Sequence, residues 1–94
     1  MAVKILIPST LRTLTNNQTT VNLDVEGTVA DVLTQLDSTF PGIGERLRDD
    51  TGEIRRFVNI FVNGDDVRFL EGSATHLKSG DELSIVPAMA GGSN

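Results

Sequence analysis

The chain has 94 residues, 38% of them apolar and 22% charged, with a formal net charge of −5. That length holds one hydrophobic core and no second domain, and four Phe without Trp or Tyr make the core mainly aliphatic. The acidic balance argues against nucleic acid, whose phosphates require clustered Lys and Arg, and the absence of cysteine excludes disulfides, thiolate metal sites and thiol catalysis.

In chain order, AVKILI alternates Val3, Ile5 and Ile7 against Lys4 and Leu6, a half-buried strand that Pro8 closes. Asn16-Asn17 supply a polar turn. In TTVNLDVEG, Val21, Leu23 and Val25 face inward and Asn22 and Asp24 outward, with Gly27 ending the run. Two alternating runs around a short turn predict a hairpin. Thr28, followed three residues later by Asp31, begins like a capping box. Val29, Val32, Leu33 and Leu36 then form one helical stripe, predicting a helix from about Val29 to Ser38 that Pro41-Gly42 ends. IGERLRDDTGE holds a single helical turn before a charged loop. RFVNIFVNG is the strongest strand, with Val58, Ile60 and Val62 on one face and Phe57, Asn59 and Phe61 on the other. A short strand is expected around Val67 to Phe69, then a loop, then a last strand in ELSIV.

One amphipathic helix covers one face of a sheet, which makes the fold α+β. The helical segment after the first hairpin is long enough to cross over between parallel strands. The expected architecture is a ubiquitin-like β-grasp, a mixed sheet of four to five strands with one main helix packed on one face. Residues 1–86 form that domain, and residues 87–94 form a flexible C-terminal tail carrying Gly-Gly. No stretch approaches the ~20 apolar residues of a membrane span, and MAVKILIPST lacks a signal-peptide pattern. A cytoplasmic protein, monomeric when free, is the expectation.

The inventory for catalysis is poor. His76 stands alone in its loop, without a carboxylate pair nearby, and reads as a surface residue. GIGERL lacks the third glycine of a dinucleotide fingerprint and follows no strand. Asp49-Asp50 and Asp65-Asp66 lack the spaced oxygen ligands of a calcium loop and read as solvated charge. Arg46, Arg48, Arg55 and Arg56 form a small basic cluster, either solvated or framing a docking surface. On the sheet, Phe57 and Phe61 are expected to face away from the helix beside Leu6 and Val86, where nothing in the chain covers them. Aromatics grouped on such a face mark a protein interface, so Leu6, Phe57 and Phe61 are the candidate partner-binding residues.

The chain closes on IVPAMAGGSN. Glycines let a main chain enter a channel too narrow for side chains, and the six residues from Pro87 to Gly92 reach roughly 20 Å when extended. Such a tail can deliver a terminal carboxylate, which can be activated as an acyl-adenylate and converted to a thiocarboxylate.

With the strand order and the AGG of Ala90, Gly91 and Gly92, the chain resembles the ThiS/MoaD-type ubiquitin-like sulfur-carrier family. RFVNIFVNGDDVRF, IVPAMAGG, ILIPSTLR and GIGERL are similar to the CysO-type carriers of cysteine biosynthesis, so the resemblance spans the whole chain. It implies a protein that is not itself an enzyme and binds no cofactor. A ubiquitin-activating-type adenylating/sulfurtransferase enzyme would adenylate the Gly92 carboxylate with ATP and install sulfur. The thiocarboxylate would then react on a pyridoxal-phosphate cysteine synthase, and a zinc metalloprotease would free cysteine after Gly92. Family members at work end on the glycine that maps to Gly92, whereas here Ser93-Asn94 follow. Either those two residues are removed first or the chain is not a carrier. Two other readings remain: the small sulfur-carrier subunit of molybdopterin synthase, and a ubiquitin-like interaction module with no sulfur role.

Overall fold

A computed structural model describes residues 2–87. Strand β1 (Val3–Leu6) pairs antiparallel with β2 (Thr20–Leu23), matching Ile5 to Val21 and Val3 to Leu23. Between them the chain makes a 3-10 helix over Ser9–Leu14 that the sequence reading missed, burying Leu11. Asn16 and Asn17 then turn the chain with positive φ of 55° and 65°, as Asn tolerates the left-handed region better than other side chains. Val25, expected inward in β2, lies beyond it and is half-buried, because β2 ends at Leu23. Gly27 does not close that strand. With Thr28 it forms the two-residue β3, antiparallel to β6 (His76–Leu77), so His76, itself exposed, sits in a short strand and not in a loop.

The main helix, α1, runs Val29–Thr39. Its predicted stripe is the buried face: Val29, Val32, Leu33 and Leu36 are all at 0% exposure. A capping box starts it. Asp31 N–H donates to Thr28 Oγ1 at 3.2 Å, while Thr28 N–H and Oγ1–H donate to Asp31 Oδ2 at 2.9 and 3.1 Å. Helix α2 (Ile43–Leu47) follows at once. Asp37, near the end of α1, accepts from the N–H groups of Gly42 and Gly44, occupying donors that a helix start leaves free. That contact is why position 44 is glycine: a Cβ there would sit 2.8 Å from the Asp37 carboxylate.

Strand β4 (Val58–Val62) turns at Asn63-Gly64, both at positive φ, into β5 (Asp65–Asp66). This is the two-residue hairpin geometry that favours Asn-Gly. The strand expected at Val67–Phe69 is a 3-10 helix. Asp66 explains the difference: its carboxylate accepts from Arg68 N–H at 2.8 Å, a local bond that competes with continuation of the ladder. Arg68 in turn lays its guanidinium along the open edge of β4, donating to the carbonyls of Arg56 and Val58. The last strand, β7 (Glu82–Pro87), is central. The sheet order is β2-β1-β7-β4-β5, with β1 and β7 parallel and the other pairs antiparallel. Pro87, placed in the tail by the sequence reading, is the final residue of β7 and pairs with Val58. One mixed sheet with a main helix on one face is the β-grasp arrangement, and Ile5, Leu23, Ile60, Leu83 and Ile85 join the α1 stripe in a single core.

Local hydrogen bonds hold several surface carboxylates below their ordinary pKa. Asp31 is held below its ordinary pKa by the backbone bond from Thr28 and then by that side chain. Asp81 is lowered by the Lys78 backbone and then Asn63, and Glu26 by the Ser79 side chain and then its backbone. A carboxyl group whose folded pKa lies below its unfolded value adds stability above the unfolded value, and that increment fades as pH falls through the folded one. Thr28→Ala is expected to cost about 1 kcal/mol at neutral pH. Thermal unfolding of Asp31→Asn and the parent should differ at neutral pH and converge below the ordinary carboxylate range. A difference independent of pH would assign the cap no ionic component.

Candidate functional site

The register of the sheet decides what its outer face presents. Leu6 lies opposite Thr20 on one side and Ser84 on the other; Ser84 lies opposite Phe61, and Phe61 opposite Asp66. Leu6 and Phe61 therefore flank the small Ser84 of the central strand, and both are half-buried. Val86, opposite Asn59, adds an apolar surface that is 42% exposed. Charges border this row: Lys4 pairs with Glu82 and Arg68 with Asp66, each at 3.9 Å and solvent-accessible. Arg68 also donates to the Asn59 side chain.

Phe57 is not part of that row, contrary to the expected grouping with Phe61. Val58 N–H donates to Arg55 C=O, so the chain bends immediately before β4 and the alternation of the strand stops short of Phe57. Phe57, 49% exposed, instead lines a cleft of about 210 Å3 with Leu11, Leu47, Val58, Ile85 and Pro87. Among the described residues, the most exposed large apolar side chain is Phe69, at 87%. The sequence reading placed it in a strand and assigned it no role. The absent signal was the Asp66 cap, which projects the following residues off the sheet.

The remaining candidates carry no assembled chemistry. His76 lines a shallow depression with Asp65, Lys78 and Asp81, but no group of three metal-ligating side chains occurs among the described residues. Asp49 serves its own loop, accepting from Thr51 and Glu53 N–H, and is held below its ordinary pKa by the Thr51 hydroxyl first. Arg48 donates to Thr34 and Arg55 to the Glu45 carbonyl. No helix of the described residues is long and apolar enough to cross a membrane. Ala90, Gly91, Gly92, Ser93 and Asn94 lie outside the described residues; β7 hands the chain on to them from the middle of the sheet.

A model of the ThiS family matches residues 5–92, nearly the whole chain and ending on the second glycine. The chain belongs to the ThiS family. Among relatives, the sulfur carrier protein CysO of Mycobacterium tuberculosis is 44% identical over 94 residues, covering 98% of this chain and all of the relative. Its crystal structure superposes with a TM-score of 0.85 at 42% identity, covering 92% of this chain and 98% of that one. A putative sulfur carrier protein of Archaeoglobus fulgidus is 40% identical over 93 residues, with 98% and 100% covered. The crystal structure of the Amycolatopsis orientalis BexX/CysO complex matches with a TM-score of 0.87 and 38% identity, covering 93% of this chain and 96% of that one. The Mycobacterium tuberculosis and Archaeoglobus fulgidus relatives are thus named as a sulfur carrier protein and a putative one, and the Amycolatopsis orientalis CysO is seen in complex with BexX.

Proposed function

We propose that this protein is a sulfur carrier that works through the Gly92 carboxylate and serves cysteine biosynthesis. The supporting observation is the coincidence of the family match, which runs to Gly92, with a central strand that sends the chain towards it from Pro87. The carboxylate oxygen attacks the α-phosphorus of ATP, releasing pyrophosphate. Hydrosulfide bound at the activating enzyme then attacks the acyl carbon and displaces AMP, and loss of its proton leaves the thiocarboxylate. This chain contributes the carboxyl group and a main chain slim enough for a narrow channel. ATP, zinc and pyridoxal phosphate belong to the partner enzymes: an adenylating sulfurtransferase, a metalloprotease cutting after Gly92, and a cysteine synthase. In the sequence Gly92 is joined to Ser93 by an amide, so the active form follows removal of Ser93-Asn94. Mass spectrometry tests the reading: the chain ending at Gly92 exchanges one terminal oxygen for sulfur when given ATP, a sulfur source and the activating enzyme of its organism. No exchange with a demonstrably active enzyme would refute it.

The Leu6–Ser84–Phe61 row with Val86 is the face offered to those partners. Apolar anchors at the centre of an interface carry most of its energy. Phe61→Asp should therefore weaken binding to the activating enzyme by about 2 kcal/mol or more, with the domain still folded by circular dichroism. If Phe61→Asp unfolds the domain, Phe61 is a core residue and the docking assignment fails.

A further inference from the structure

Asn59 interrupts the apolar surface of the outer sheet face. It lies on β4 two residues before Phe61 and opposite Val86, and it is half-buried. Its amide is not free to choose an orientation. Arg68 lies along the edge of β4, where Nη2 donates to the carbonyls of Arg56 and Val58 at 3.1 and 2.8 Å. From that position Nη1 donates to Asn59 Oδ1. A guanidinium carries donors and no acceptor, so the amide must turn its oxygen towards it. The Nδ2 group is then turned away from Arg68 and the strand edge, towards the face that Asn59 shares with Phe61 and Val86. It finds no acceptor among the described residues.

We propose that Asn59, oriented by Arg68, is a specificity-determining donor: the enzyme that docks on this face presents a main-chain carbonyl oxygen to Nδ2. The inference rests on the docking face of Leu6, Phe61 and Val86 and names what the partner carries there. While the face is open, water accepts from Nδ2 and nothing is lost. A partner that covers Phe61 and Val86 removes that water, and an amide left unpaired then costs the full desolvation of the group. An apolar surface that fits Phe61 equally well but offers no acceptor is therefore rejected. A neutral carbonyl suits the site better than a carboxylate, whose charge is far more costly to remove from water among apolar side chains. The cations bordering the face, Lys4 and Arg68, already stand beside Glu82 and Asp66 of this chain. Arg68 acts through Asn59 and is a positioning residue.

The experiment uses the chain ending at Gly92 and the ATP-dependent activating enzyme of the same organism, with affinity measured by titration calorimetry and adenylation by pyrophosphate release. Asn59→Asp keeps the shape and the bond from Arg68 but has no donor; it should weaken binding about tenfold or more, as should Asn59→Leu. Arg68→Lys retains a donor-only group and should stay close to the parent, whereas Arg68→Met should bind more weakly. In the Asn59→Leu background, Arg68→Met should add no further loss. The deficit of Asn59→Leu should be the same at low and high salt, as for a neutral acceptor. Each variant is confirmed folded by its amide NMR spectrum. If Phe61→Asp weakens binding and both Asn59 variants match the parent, this inference fails while the docking face and the carrier reading stand. If Arg68→Lys is as weak as Arg68→Met, or the two losses simply add, Arg68 does not act by orienting Asn59 and that assignment is overturned. A deficit that shrinks with salt would assign a carboxylate and overturn the carbonyl. If Phe61→Asp binds as the parent does, or the parent is never adenylated, the earlier reading fails and takes this one with it.

Discussion

Leu36→Ala is expected to lower the unfolding free energy by about 2 to 5 kcal/mol. Leu36 is fully buried and lies in the third turn of α1, one of four side chains through which the helix meets the sheet core of Ile5, Ile60 and Leu83. Truncation removes the transfer energy of three carbons and leaves a void that a strand-backed site cannot collapse to fill. Domains of this size are stable by about 5 to 15 kcal/mol, so one substitution removes a large fraction of the total. For a domain of about 100 residues each kcal/mol corresponds to roughly 4 to 8 °C in Tm, so the midpoint should fall by about 10 °C or more. Urea unfolding should show a lower midpoint with an unchanged slope, the sign of a destabilised native state rather than an altered denatured one. A loss below about 1 kcal/mol would mean that the stripe is not seated on the sheet.

The stripe was readable because a helix on one face of a sheet forces its apolar residues into a 3.6 period, and the strands were readable because half-burial forces a period of two. Val58, Ile60 and Val62 show the strand pattern undisturbed, and β1, β2 and β7 follow it. The features missed are those decided by single polar contacts. The 3-10 turn at Val67–Phe69 depends on one carboxylate, that of Asp66, accepting Arg68 N–H. The β3–β6 pair depends on two residues from each strand meeting across about 50 positions of sequence, too short for any period to register. Phe57 was assigned to the wrong surface for a similar reason, because alternation was extended one residue past the point where the Arg55–Val58 bond bends the chain. Of the candidate partner residues, Leu6 and Phe61 are brought together across Ser84. Phe57 helps to form a different feature.

The largest functional effect is expected from Ser93 and Asn94, the two residues that follow Gly92 in the sequence. The chain ending at Asn94 should remain unmodified in the presence of ATP, a sulfur source and the activating enzyme, whereas the chain ending at Gly92 should convert to the thiocarboxylate. The cause is chemical before it is steric. Adenylation requires a carboxylate oxygen as nucleophile, and in the longer chain the Gly92 carbonyl belongs to an amide whose oxygen attacks phosphorus far more weakly. The carboxylate of Asn94 would not replace it: in a channel fitted to glycine, as proposed, it would bring in two side chains and displace the nucleophile by about 7 Å, two extended residues. Even a displacement of 1 Å from the reacting geometry can cost a hundredfold in rate. Adding a metalloprotease that cuts after Gly92 should restore modification of the longer chain, and mass spectrometry separates the three states by the loss of Ser-Asn and the exchange of oxygen for sulfur. Gly91→Ala in the trimmed chain supplies an independent arm: a channel fitted to glycine should reject the added methyl group and reduce the modification rate, while unfolding by urea stays unchanged. Sulfur arriving directly at Asn94 would show that the glycines do not set the point of activation. A trimmed chain that stays unmodified beside a demonstrably active enzyme would leave the β-grasp domain as an interaction module, with Leu6 and Phe61 as its working surface.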